Sequence, residues 1–92
     1  MNSRIRVLIA DDQAIVREGM QRILEREADM VVVGSVDTAP EVLPAVRSHQ
    51  PDVVLLDLKW HRDEMAMDEV IAEIRRESPK VCIIAITVYD HL

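Results

Sequence analysis

Ile5-Arg6-Val7-Leu8-Ile9-Ala10-Asp11-Asp12-Gln13 is an apolar run that stops on two adjacent carboxylates. The run is short, β-branched and nearly unbroken, as a strand buried on both faces must be. Beyond it Val16, Met20, Ile23 and Leu24 recur at helical spacing, so the acids fall at a strand-to-helix turn. In an open α/β sheet that turn lies in the crevice outside the carboxyl ends of the strands, where such sheets take their ligands. Val53-Val54-Leu55-Leu56 repeats the pattern and ends on Asp57, and Val81-Cys82-Ile83-Ile84-Ala85-Ile86 ends on Thr87. Three strand ends thus bring two acids, one acid and one hydroxyl to one edge. Oxygen ligands of this kind suit a hard divalent cation and a phosphoryl group.

Strand and helix signals alternate through the rest of the chain. The first strand is expected over about residues 4–10, and the first helix from about Asp12 to Glu27. Val31-Val32-Val33, followed by Gly34, reads as a short second strand. Thr38 and Glu41 have capping-box spacing before the stripe Ala39, Val42, Leu43 and Val46. Pro44 interrupts that stripe and predicts a kinked or loosely held helix, which Pro51 then stops. The third strand is expected over 52–57. Met67, Val70, Ile71 and Ile74 mark a third helix, ended near Ser78-Pro79 before the fourth strand. Helices alternating with strands imply a parallel sheet covered on both faces.

Composition narrows the function. The 92 residues suit a single domain, and 49% apolar content is enough for a core. A net charge of −6, with scattered arginines, argues against direct binding of a nucleic-acid backbone. No apolar stretch approaches the roughly 18 residues of a membrane span, and Met1-Asn2-Ser3-Arg4 does not open a secretion signal. The single cysteine, Cys82, sits in a strand-like run and is expected to be a buried small hydrophobe in a reducing cytoplasm.

The residues from Arg4 through Ala10-Asp11-Asp12-Gln13 to Gly19, with Pro51 to Asp57 and Ile83 to Thr87, resemble the receiver domain of two-component response regulators. The opening is closest to the subfamily with a C-terminal helix-turn-helix output domain. The resemblance covers nearly all of the chain and implies one incomplete receiver-like domain over residues 1–92. It implies a three-layer, flavodoxin-like fold with sheet order 2-1-3-4, lacking the fifth strand and last helix. It also implies roles: Asp57 as phosphoacceptor; Asp11, Asp12 and Asp57 as Mg²⁺ ligands, with Lys59 ligating through its backbone carbonyl; and Thr87 as switch hydroxyl. The implied protein is no enzyme. It takes a phosphoryl group from a sensor histidine kinase and relays it to an output or partner.

Departures from the family pattern set alternatives beside this expectation. After Asp57 the chain reads Lys59-Trp60-His61-Arg62-Asp63-Glu64-Met65-Ala66, without the usual proline and glycine. Val88 is bulkier than the small residue usual after the switch hydroxyl, and no fifth-strand lysine follows. A receiver-like interaction module that does not switch is one alternative. An aspartyl-nucleophile phosphohydrolase is a remote one, because Lys59 stands where its second acid is needed. Lys80 to Ile86 would form an edge strand with apolar side chains on both faces, so a homo-oligomer is expected.

Overall fold

The computed structural model describes residues 4–58 and 67–86. Four strands, β1 (Ile5–Ala10), β2 (Met30–Val36), β3 (Val53–Asp57) and β4 (Cys82–Ile86), alternate with three α-helices. These are α1 (Ala14–Glu25), α2 (Val42–His49) and α3 (Met67–Glu77). The strands form one sheet in the order β2-β1-β3-β4, with every neighbouring pair parallel. This is the order expected from the sequence.

Alternation along β1 divides the core in two. Leu8 and Ala10 face α2 and α3, forming one cluster with Val42, Ala45, Val46, Val54, Leu56, Val70 and Ile74. Leu8, Val54, Leu56, Val70 and Ile74 have no exposed surface, and burial of each such side chain contributes about 1.5–3 kcal/mol. Val7 and Ile9 point to the opposite face, where α1 packs on β1 and β2, and both are buried. Across that face Ile9, Leu55 and Ile84 are register partners, and exposure rises along the row until Ile84 is 46% exposed. α1 itself buries no residue completely, and Ile15 and Ile23 face outward.

Three local expectations are corrected. Thr38 and Glu41 do not form a capping box: the Thr38 hydroxyl donates to the Glu41 carboxylate, and neither caps a backbone N–H in the turn. A 3₁₀ turn over Ala39–Glu41 intervenes instead, and α2 begins at Val42. Pro44 therefore lies in the first turn of α2, where the missing N–H has no intrahelical partner to lose, and the helix runs on to His49. Cys82 is exposed, because β4 lies at one edge of the described sheet and no described helix covers its side chain.

Two backbone details tighten the fold. β2 is longer than expected and carries a register shift: Val7 pairs with Val32 but Leu8 pairs with Gly34. A Cβ at Gly34 would stand 3.0 Å from Leu8 Cδ1 and 3.1 Å from the His49 ring, tight enough that one of those side chains would have to shift. α2 ends at Gln50, held in the left-handed region at φ 47°, with its N–H donating to Val46 O over 2.9 Å. Pro51 then turns the chain into β3.

Candidate functional site

The site is built from the carboxyl ends of β1 and β3. Ala10 and Leu56 are register partners, so the next residues on the two strands, Asp11 and Asp57, leave the sheet side by side. Asp12 follows on the turn into α1. One carboxylate oxygen from each of Asp11, Asp12 and Asp57 lies within 4.8 Å of the others. Asp11 is 3% exposed and Asp57 7%, with Asp12 half-buried at the rim.

Asp11 is fixed from three directions. Its backbone N–H donates to Val36 O over 3.1 Å, tying the turn to the end of β2. Its Oδ1 accepts the Gln13 N–H at 2.8 Å, an Asx-type bond that orients the carboxylate as α1 begins. Its carbonyl accepts a bond from Arg17 Nη1 at 2.9 Å. Burial raises the Asp11 pKa above its usual value, and the negative charges of Asp57 and Asp12 push it the same way. The Gln13 N–H and the Arg17 guanidinium oppose the rise.

Three crowded carboxylates are costly alone, and a divalent cation relieves their mutual repulsion. The donor set is all oxygen and mostly withdrawn from solvent. It fits a hard cation such as Mg²⁺, which takes oxygen ligands in octahedral geometry and usually keeps several waters. Among the described residues the cluster holds none of the nitrogen or sulfur ligands that zinc prefers.

The acids expected to converge are brought together. Lys59 and Thr87 lie outside the described residues, as do Trp60, His61 and Val88. Ile86, the residue before Thr87, is the register partner of Asp57. Sequence reasoning set Gln13 beside the acids but overlooked Arg17, whose only signal was a cation in the first turn of a helix that opens on two acids.

Fold and site together define a receiver. The chain belongs to the family described as the response regulator receiver domain, which matches residues 7–92. Among curated relatives, the oxygen regulatory protein NreC of Staphylococcus haemolyticus is 34% identical over 86 residues, covering 94% of this chain. The response regulator GacA of Pseudomonas viridiflava is 37% identical over the same length. The chain spans 39% of the length of each of these relatives. Among solved structures, the isolated receiver of RcsB from Salmonella enterica serovar Typhimurium, in the presence of phosphomimetic BeF3-, superposes with a TM-score of 0.84. It is 27% identical, and the match covers 97% of this chain and 65% of that one. The receiver domain of the putative response regulator NarL from Mycobacterium tuberculosis superposes with a TM-score of 0.83 at 30% identity, covering 97% of this chain and 70% of that one.

Proposed function

We propose that this receiver takes a phosphoryl group on Asp57, with Mg²⁺ held by Asp11, Asp12 and Asp57, and relays that change to an output or partner. The observation that carries this reading is the convergence of the three carboxylates at one end of the parallel sheet. A carboxylate oxygen of Asp57 attacks phosphorus, forming the O–P bond of an acyl phosphate. The bond from phosphorus to the donor breaks as the leaving group departs with its electron pair. Mg²⁺ held by these three acids would supply positive charge for the phosphoryl oxygens.

The protein's own part is to hold the acids still and dry. Asp57 ends a strand whose Leu56 and Val54 are fully buried, and that packing anchors the strand end. Asp11 is bound at its N–H, its carbonyl and one carboxylate oxygen. Lys59 would add its backbone carbonyl to the metal, and the Thr87 hydroxyl would donate to a phosphoryl oxygen. The donor in the cell would be the phosphohistidine of a sensor kinase in the cytoplasm.

Mass spectrometry of the chain after incubation with acetyl phosphate and Mg²⁺ tests this reading. A gain of one phosphoryl group, mapped to Asp57 and lost when EDTA replaces Mg²⁺, is expected. No gain on Asp57 would leave a receiver fold that acts by binding alone, the outcome favoured by the altered loop sequence Lys59 to Ala66.

A further inference from the structure

The α1 helix reaches back to the acid turn through one side chain. Arg17 lies in the first turn of α1, its backbone N–H donating to Gln13 O at 3.1 Å. From there its guanidinium Nη1 meets the carbonyl of Asp11 at 2.9 Å. That carbonyl precedes the helix and lies outside its hydrogen-bond ladder, in a residue only 3% exposed. The same Asp11 gives its Oδ1 to the Gln13 N–H over 2.8 Å. Arg17, Gln13 and Asp11 therefore close a small ring of bonds around the turn, and the arginine is its one side-chain donor.

We infer that Arg17 is a positioning residue for the cation site: it pins the Asp11 backbone so that the carboxylate stays aimed at Asp12 and Asp57. This rests on the acid cluster being the Mg²⁺ site proposed above. The guanidinium bonds the turn's backbone, so it acts on the site through Asp11. Two effects compete when Arg17 is removed. Loss of a nearby positive charge would tighten binding of a cation, and loss of the bond to Asp11 would weaken it. Positioning governs here, because the carbonyl it holds belongs to the most buried of the three acids. Outer partners that orient a metal ligand typically change affinity 10- to 100-fold when removed.

The test is Mg²⁺ titration of the 92-residue chain by calorimetry, with wild type, Arg17→Met and Arg17→Lys compared at equal ionic strength. Arg17→Met is expected to weaken Mg²⁺ binding about tenfold, and Arg17→Lys, which keeps the charge without the planar fork, to fall between. The Gln13 amide resonance is expected to move in the folded Arg17→Met protein, a shift that a role in stability alone would not produce. Equal affinity in Arg17→Met and wild type overturns the inference, and tighter binding shows that charge competition governs instead. If Arg17→Met does not fold by circular dichroism, Arg17→Lys decides: weaker binding supports positioning and wild-type affinity overturns it. Failure of the wild type itself to bind Mg²⁺ would reject the site reading. Normal wild-type binding with unaltered variants would reject only the role of Arg17.

Discussion

Asp52 and Asp57 stand just before and at the end of the same strand, and their surroundings are opposite. At the amino end of the sheet, Asp52 Oδ2 accepts the Arg6 N–H at 2.8 Å, while its own N–H donates to Arg6 O at 2.8 Å. Its carbonyl accepts the Cys82 N–H at 2.9 Å, so one residue joins β1, β3 and β4. Arg6 Nη2 also donates to His49 O at 2.6 Å. Nearby, Arg47 of α2 makes a two-pronged ion pair with Glu77 of α3, both contacts 2.7 Å. At the carboxyl end, Asp57 is set against two more acids. At one end charged side chains bond backbone groups or, for Arg47 and Glu77, each other, and hold strands and helices together. At the other, three carboxylates crowd together, and the Asp57 and Asp12 charges raise the pKa of Asp11, an arrangement consistent with a site kept for a cation.

The largest expected difference is in chemistry. Asp57→Asn should abolish acetyl phosphate labelling while leaving the urea midpoint unchanged or higher, since it removes one of three crowded charges. Asp52→Asn should label like wild type. Labelling of Asp57→Asn to the wild-type extent would place the phosphoacceptor elsewhere and dissolve the contrast between the two ends.

Next in size is the core that joins the ends. Leu56 is wholly buried between Val54 and the acid strand end. Leu56→Ala should cost about 2–5 kcal/mol in urea unfolding and weaken Mg²⁺ binding in the folded fraction. A loss of stability with wild-type Mg²⁺ affinity would mean that the site is held independently of the core.

A smaller loss is expected from the amino end. Asp52→Ala removes an exposed, charge-assisted bond to backbone, worth about 1 kcal/mol, and should leave Mg²⁺ affinity unaltered. A change in that affinity would show the two ends to be coupled.

The smallest effect is in pH dependence. Arg47 holds the Glu77 carboxyl down from 4.5 to about 2, chiefly through its hydrogen bonds. The folded state thus binds this proton less readily than the unfolded chain. Stability from the pair is complete above pH 4.5 and is lost as pH falls toward 2. The raised Asp11 has the reverse sign, because there the folded state takes its proton first on acidification. Stability measured from pH 6 to 2 should fall less steeply in Glu77→Gln than in wild type, and equal slopes would remove the pair from the account.

What could be read in the chain follows from local rules. The strand runs, the helical stripes and the acids ending two strands are set by periodicity and chemical type. Parallel strands share their carboxyl ends, so Asp11, Asp12 and Asp57 had to approach one another once the sheet was parallel. The order of strands came from resemblance to a family, since periodicity alone allows others. Thr38 and Glu41 illustrate the limit: their spacing fits a capping box, yet the side chains bond to each other over a 3₁₀ turn. The cost of Pro44 depends on where the helix begins, and the structure starts it at Val42, two residues earlier.

The sequence by itself determined the α/β alternation, the acid positions at strand ends and the stop at Pro51. Tertiary structure decided which cations and backbone groups meet those acids. Arg17 reaches Asp11, Asp52 holds Arg6, and Arg47 grips Glu77 across 30 residues of chain. Cys82 has the composition of a core residue and lies exposed at one edge of the described sheet. The physical reason is the same in each case. Periodicity records which side of an element is apolar, whereas partners and burial depend on what the folded chain brings against that side.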